Sequence, residues 1–470
     1  MLRIITEMIE LIPAPVLSIY KKFEKAKFEV YLVGGCVRNI LLKKTPKDWD
    51  LTTNAKPEEI LKLFPDGFYD NKFGTVGVPL GKTKGLPAGR QVVEITTFRT
   101  EKGYSDRRRP DQVSWGKTIE EDLARRDFTI NAIALRFTSK ASGEPSKFEI
   151  IDYYNGQKDL KEKIIRAVGD PKLRFKEDAL RLLRAVRLAS QLSFTIEEKT
   201  WVELKKDAKL LNEISKERIR VEFLRILGSD YPYEGVMFLK ESHLLEYILP
   251  ELLQGIGISQ ARPGRHHTED VFTHNVLSLK FCPSKDPLVR FATLIHDVGK
   301  PQVVAVDKEG FVIFHNHEIK GARMASEICE NLRFSKKEKD RVVNLVRWHM
   351  FTVDEKITDA AIRRFIRRVG VENVKDMMDL RIGDRLGGGT QTAQSWRLKL
   401  FKKRVEEQLK PAPFSINDLA IDGNDVMKVL NMKPGPKIGE ILQKLFEEVD
   451  EDLTKNKREY LLKRVKELGH

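Results

Sequence analysis

The chain has 470 residues, 84 of them Lys or Arg and 69 Asp or Glu, for a net charge of +15. That length suits about two to four domains of roughly 100–200 residues, and the cationic surplus favours a polyanionic partner, because each Lys or Arg that neutralises a phosphate releases a counterion. Three scattered cysteines, Cys36, Cys282 and Cys329, form no CxxC pair, which argues against a thiolate zinc site and a disulfide framework. No apolar run approaches the ~18 residues that span a bilayer, and the first residues lack a basic-then-apolar signal pattern. A cytoplasmic protein without a membrane partner is expected.

Residues 1–25 read as one or two short helices broken by Pro13 and Pro15. From Glu29 to about Thr138 strands and helices mix. Glu29–Val33 reads as a strand, followed by a glycine turn, a helix through Leu42 and the strand Trp49–Thr52. Pro57–Phe64 reads as a helix, and Gly74–Leu80 and Val92–Phe98 as paired strands joined by the Gly/Lys-rich loop 81–91. The basic stretch SDRRRPD (105–111) reads as a loop. After about Asp170 helical spacing dominates, apart from a hairpin around Val303–Ile313. KPAPF (410–414) reads as a linker, and KPGPKIGEIL (433–442) as a turn that starts an amphipathic helix.

Three groups of residues point to phosphate chemistry. Gly34-Gly35-Cys36-Val37-Arg38 lies between a strand and a helix, where small residues let backbone N–H groups approach a phosphate; such turns are also common without function. In Asp48-Trp49-Asp50 two carboxylates two residues apart on a strand share a face. They repel unless a cation lies between them, and Mg2+ takes such oxygen ligands. The alternative is a strand end with two solvated acids. Arg125-Arg126-Asp127 precedes Asn131, which reads either as a helix start or as a triphosphate contact through Arg126.

In RFKEDALRLLRAVRLASQ (174–191), Asp178, Arg181, Arg184 and Arg187 recur every three residues and share one broad helix face. Three arginines to one acid exceed what pairing needs. Asp and Arg together present an acceptor and planar donors to a base edge.

These strings resemble the bacterial class of CCA-adding tRNA nucleotidyltransferases and the related bacterial poly(A) polymerases. LVGGCVRNILL, KDWDLTTNA, EDLARRDFTINAIAL and RFKEDALRLLRAVRLA stand in the family's order over roughly residues 28–225. The resemblance implies that Asp48 and Asp50 bind catalytic Mg2+ in a two-metal mechanism, that Gly35, Arg38 and Arg126 contact the nucleotide, and that Asp178 and Arg181 read the incoming base beside Arg184 and Arg187. It also implies CTP, ATP and the acceptor and T arms of tRNA as partners. Asn39 departs from the family's usual Asp and bears on the support of Arg38. The stretch Phe73–Val78 resembles the CCA-adding type, and GYSDRRRPDQV (103–113) the flexible loop of enzymes that add the terminal A. Addition of A alone and poly(A) synthesis remain as alternatives.

Further along stand His274, His296-Asp297, His315, His317, His349 and Asp384. The ordered set resembles the HD phosphohydrolase superfamily over about residues 265–390, with His274, His296, Asp297 and Asp384 as its core. Imidazole and carboxylate suit a divalent metal such as Ni2+ or Mn2+, His317 and His349 a second ion or a phosphate, and Lys300 a phosphate contact. The expected architecture is α+β: a mixed-sheet, polymerase-beta-like nucleotidyltransferase head (1–140), a helical body (141–264), an HD-type helical domain (265–390) and a helical tail (391–470). An RNA-binding phosphohydrolase with an inactive head is the alternative from another class.

Overall fold

The computed structural model describes residues 10–71, 74–80, 92–102, 112–139, 145–260, 269–390, 392–409 and 415–469. The loop 81–91, most of 103–113, Phe73 and the 410–414 stretch lie outside them. The chain divides into two units, Met1–Pro250 and Glu251–His470.

The first unit is built on a seven-stranded sheet. Its strands are β1 (Val30–Val33), β2 (Trp49–Thr53), β3 (Phe68–Asn71), β4 (Thr75–Pro79), β5 (Val92–Thr97), β8 (Ala134–Ser139) and β9 (Pro145–Ile151); β6 (Arg99–Lys102) and β7 (Gln112–Trp115) form a separate ribbon. The sheet order is β3-β4-β5-β2-β1-β8-β9. Only β2 and β5 pair in parallel, so the sheet is mixed. β1 is central and buried along its whole length, as its apolar run Val-Tyr-Leu-Val requires. The helix Ala14–Lys25 covers the sheet with Tyr20 and Phe23. The Tyr20 hydroxyl donates to the carbonyl of Phe137 and accepts from its N–H, at 3.3 and 2.9 Å. Pro15 starts this helix instead of breaking it, because the first turn needs no proline N–H.

The expected hairpin Gly74–Leu80 with Val92–Phe98 is present as β4 and β5, Val76 facing Ile95. Beyond the sheet the unit is helical, apart from the two-residue parallel pair Ile164–Ile165 and Thr195–Ile196. One expectation needs correction. Residues 174–191 are two helices, Pro171–Glu177 and Leu180–Leu192. Asp178 sits in extended backbone between them, and its carboxylate accepts the N–H of Leu180 at 3.1 Å. A short acidic side chain that bonds its own local backbone competes with helix continuation. Asp178 therefore does not share a helix face with Arg181, Arg184 and Arg187.

Among its described residues the second unit is helical except for the hairpin Ala305–Val306 with Val312–Ile313, as its sequence predicts. No helix among the described residues is long and apolar enough to cross a membrane. Its helices Val271–Phe281 and Val374–Gly387 approach closely because Gly383 and Gly387 present no side chain to Ser278. A Cβ on Gly383 would lie 2.6 Å from the Ser278 carbonyl oxygen, and one on Gly387 2.6 Å from the Ser278 nitrogen. This contact sets the spacing between His274 and Asp384, one on each helix. Gly387→Ala should force the helices apart and cost about 1–3 kcal/mol. A lowered thermal midpoint checks it; an unchanged midpoint would show that the helices slide without loss.

Candidate functional sites: an acid pair at a glycine turn and a histidine cluster

In the first unit the glycine turn and the acid pair lie on neighbouring antiparallel strands, because β1 pairs with β2. Gly34 has φ +74°, which only glycine adopts freely. Its missing side chain is also needed for space: a Cβ there would lie 3.2 Å from an Arg126 Nη1 and 3.3 Å from an Asp50 Oδ2. The turn, one acid and one arginine thus converge on a single point. Asp48 is exposed at the residue before β2, Trp49 is buried, and Asp50 is half-buried. Burial raises the Asp50 carboxyl above its usual range; Arg126 opposes the rise and Asp48 adds to it. An acid pair left with that repulsion is a fit for a hard divalent cation.

Arg126 is braced from behind. The buried Asp122 accepts from Arg125 at 2.6 Å and from Arg126 at 3.0 Å. Arg38, on the short helix Gly35–Leu41, donates to Asn131 Oδ1 at 2.7 Å and to Asn39 Oδ1 at 3.2 and 3.4 Å. Asn39 therefore keeps the acceptor that an Asp would offer and drops only the charge.

The arginine stripe is not a surplus of free cation. Arg181 donates to Glu177 at 2.5 Å and to the carbonyls of Arg174 and Arg125 at 3.0 and 2.8 Å. Arg184 meets Asp127 at 2.5 Å, and Arg187 meets Glu222 at 3.0 Å. Asp178 pairs with Arg218 at 3.1 Å. The excess read from the sequence disappears because Glu177 pairs locally with Arg181 while Asp127 and Glu222 reach Arg184 and Arg187 across the fold.

The residue that sequence reasoning undervalued is Asp127. It is buried, accepts from its neighbour Phe128 N–H at 2.8 Å and from Asn131 Nδ2 at 3.0 Å, and takes Arg184 on its other oxygen. Asn131 then holds Arg38. The signal was present: an acid four residues before an amide in RRDFTIN, at the spacing of one helical turn.

In the second unit five helices bring the histidines together. His274 lies on Val271–Phe281, His296 and Asp297 follow Pro287–Ile295, His317 begins His317–Asn331, His349 ends Lys336–Trp348, and Asp384 lies on Val374–Gly387. All four histidines and Asp297 are buried. His274 Nε2 lies 3.2 Å from His296 Nε2, 3.3 Å from Asp297 and 3.4 Å from Asp384. His317 and His349 Nε2 lie 3.2 and 3.6 Å from the other oxygen of Asp297. Two candidate metal groups result, His274–His296–Asp297 and Asp297–His317–His349.

The Nδ1 atoms of His296, His317 and His349 lie 2.7–2.8 Å from backbone carbonyls three residues earlier. A carbonyl can only accept, so each Nδ1 carries a proton and each Nε2 points inward, where the neutral form of the ring offers a lone pair, as metal-ligating imidazoles do. Burial would lower His296, but Asp297 and Asp384 outweigh it and raise it to about 10, so its Nε2 also holds a proton toward those carboxylates that a bound cation would displace. Burial leaves His349 lowered. Lys300 lines the same cavity, yet its ammonium is paired with Asp297 and Gln260.

Comparison with known proteins bears on both units. A Poly A polymerase head domain model matches residues 30–166, a model described as "Probable RNA and SrmB-binding site of polymerase A" matches 193–255, and one described as "tRNA nucleotidyltransferase domain 2 putative" matches 312–465. The CCA-adding enzyme of Lactobacillus helveticus is 44% identical over 231 residues, which are 49% of this chain and 54% of that enzyme. The chain thus spans about half the length of that curated relative. The CCA-adding enzyme of Limosilactobacillus reuteri is 31% identical over 459 residues, covering 97% of this chain and 96% of that enzyme. The chain belongs to the CCA-adding enzyme family. The fold agrees: the crystal structure of the Bacillus stearothermophilus CCA-adding enzyme in complex with CTP aligns with a TM-score of 0.71 at 24% identity, over 97% of this chain and 98% of that one. The Thermotoga maritima CCA-adding enzyme complexed with tRNA aligns at 0.58 and 19% identity, over 99% of this chain and 98% of that one.

Within this member of the CCA-adding family, Asp127 gives a prediction with a definite sign. Burial raises its carboxyl, but Arg184, Asn131 and Arg181 overrule that and hold it well below the usual range. A depressed folded value means that the stabilisation is full above the ordinary carboxylate pKa, ~3.9, and is lost as pH falls below it. Asp127→Asn should cost roughly 1.5–3 kcal/mol at neutral pH and flatten the acid limb of the stability curve. Denaturant unfolding at several pH values checks both; a variant with the parent's acid limb would contradict the assignment.

Proposed function

We propose that this chain rebuilds the CCA end of tRNA, adding CMP and AMP from CTP and ATP without a nucleic-acid template. The observation that carries the reading is the convergence at Gly34, where Asp50 and Arg126 face one side-chain-free point beside the glycine turn. Family membership supports it. The relatives are named for CCA addition, and structures of such enzymes were solved with CTP, with ATP and with tRNA; carried to this chain, these give its substrates and partner.

Asp48 and Asp50 are the proposed ligands of two Mg2+ ions, which when bound lower the pKa of the RNA 3′-hydroxyl and neutralise charge on the phosphates. The Gly34–Gly35 turn leaves room for the triphosphate to approach backbone. Arg126, braced by Asp122, faces that triphosphate, and Arg38 is held ready by Asn131 and Asn39. Asp178 and Arg181 read the base, exchanging Arg218 and Glu177 for its edge, with Arg184 and Arg187 behind them as supports. Basic helices hold the acceptor and T arms by shape and backbone charge, in a cytoplasmic setting that suits three buried free cysteines.

The histidine cluster favours a second activity in the same chain. We propose that His274, His296, Asp297 and Asp384 hold a divalent transition metal such as Ni2+ or Mn2+ in an HD-type phosphohydrolase site, with His317 and His349 available to a second ion. Such an ion, when bound, supplies a water of lowered pKa; the inward-facing Nε2 atoms, whose rings backbone carbonyls hold in place, fit it.

Asp48→Ala should lower nucleotide addition by about 10³-fold or more while tRNA still binds. Three transcripts, ending before CCA, after CC and after CCA, each offered labelled CTP or ATP, fix the product. A stop at CCA supports the reading. An A ladder names a poly(A) polymerase, extension of the CC end alone names an A-adding enzyme, and no extension by the parent protein returns the reading to an RNA-binding phosphohydrolase. His296→Ala with Asp297→Ala should leave CMP and AMP addition intact; its loss would contradict the assignment of separate activities.

A further inference from the structure

The second unit holds a cavity of about 370 Å³ to which the His/Asp cluster contributes no residue. Its walls come from three places: Phe351–Val353, Arg381 and Arg385 on the helix Val374–Gly387, and Ser395–Leu398 at the start of the helix Trp396–Leu409. No acid lines it. Three guanidinium groups around one space repel one another, and only Arg381 has a carboxylate to answer it, Asp384 at 3.0 Å. Among the described residues Arg385 and Arg397 have none. Arg385 Nε is buried without a hydrogen-bond partner, and a buried donor left in that state costs free energy that an acceptor on a ligand offsets. The start of a 14-residue helix lines the same space, and helix N-termini favour anions. The cavity therefore suits phosphate oxygens, which guanidinium groups bind in pairs.

The same cavity offers a flat apolar surface. Phe351 packs against Phe365 and Phe401, at 4.8 and 5.3 Å between centroids, and Arg381 lies over its ring at 5.5 Å, so Phe351 is wall and not platform. Trp396 is 58% exposed, with the Arg397 guanidinium 5.4 Å from its ring centroid. An exposed indole beside guanidinium groups stacks nucleic-acid bases of any sequence. The volume lies at the lower end of the ~300–1,000 Å³ range of small-molecule sites, which suits a single nucleotide. Past the cavity the helix exposes Lys399, Lys402 and Lys403 before its first acid, Glu406. A strand with further phosphates can use that track; a free mononucleotide cannot.

We propose that this cavity captures one unpaired nucleotide of a bound RNA, with its base against Trp396, its phosphate on Arg385 and Arg397, and the neighbouring phosphates along Lys399, Lys402 and Lys403. The pocket is a holding site: it does no chemistry and needs no metal. The inference rests on the tRNA reading for the identity of the RNA, while the cavity itself supplies the single-nucleotide, base-stacking part.

The test uses the full-length protein and a tRNA transcript that ends before CCA. Cross-linking of the complex with short-wave ultraviolet light, followed by peptide mapping, should place RNA on the peptide that carries Trp396. Affinity is then measured over a range of salt concentrations. Trp396→Ala should weaken binding about tenfold with an unchanged salt slope, and Trp396→Phe should bind within about threefold of the parent, because stacking needs only a ring. Arg385→Gln should weaken binding about tenfold and reduce the salt slope by about one, as loss of one phosphate contact does. Circular dichroism verifies that the three variants keep the parent's helix content. A parent that binds tRNA but cross-links only at other peptides overturns this inference alone, as does parental affinity in Trp396→Ala or a parental salt slope in Arg385→Gln. AMP that competes for the Trp396 cross-link as tightly as the transcript makes the cavity a free-nucleotide pocket and overturns the RNA assignment. A parent that binds no tRNA removes the tRNA reading and this inference with it.

Discussion

A single buried carboxylate, Asp127, holds the first site in register. One oxygen takes Arg184 from the helix Leu180–Leu192; the other accepts from Asn131, whose own oxygen takes Arg38 beside the glycine turn. The chain Arg184–Asp127–Asn131–Arg38 links the arginine helix to the strand-turn-helix that carries Gly34 and Gly35. A buried charge is stable only when paired and fully hydrogen-bonded, so every member of this chain constrains the next. The glycine turn and the arginine helix therefore cannot shift independently, and the proposed placement of a triphosphate and a base needs that rigidity.

The second unit reaches its order by another route. The rings of His296, His317 and His349 are oriented by backbone carbonyls, each three residues before the histidine, so helix ends themselves set the ring directions. The spacing of two of the helices depends on Gly383 and Gly387 against Ser278. Asp297 offers one oxygen to His274 and His296 and the other to His317 and His349. Its position within the cluster follows from that division and from the Lys300 ammonium beside it.

Much of this was legible in the residues because the chemistry is local. A glycine pair after an apolar strand, two acids two residues apart and a His-Asp pair each carry their meaning within a few positions; Val30–Val33 is an apolar run, and Trp49–Thr53 and Val92–Thr97 are rich in β-branched and aromatic residues. The break at Asp178 was not legible, since Arg-Phe-Lys-Glu-Asp-Ala-Leu keeps helical spacing through it and the bond from the Leu180 N–H to Asp178 shows only in the fold. The apparent excess of arginine dissolved for a similar reason. Glu222 lies 35 residues beyond Arg187 and Asp127 lies 57 before Arg184, and periodicity does not report pairs across a fold. The edge strands β3 and β9 went unread because Phe-Tyr-Asp-Asn and Pro-Ser-Lys-Phe-Glu-Ile-Ile mix polar residues into short runs, as edges do.

The central claim is that Asp48 and Asp50 hold divalent cations beside the Gly34 turn, with Arg126 against the nucleotide. Crystals grown with Mn2+ and a non-hydrolysable CTP analogue test it through the anomalous signal of manganese. The account predicts anomalous peaks within coordination distance of both carboxylates, and the triphosphate between them and Arg126. Manganese found only at the histidine cluster, or a triphosphate bound away from Arg126, would contradict it.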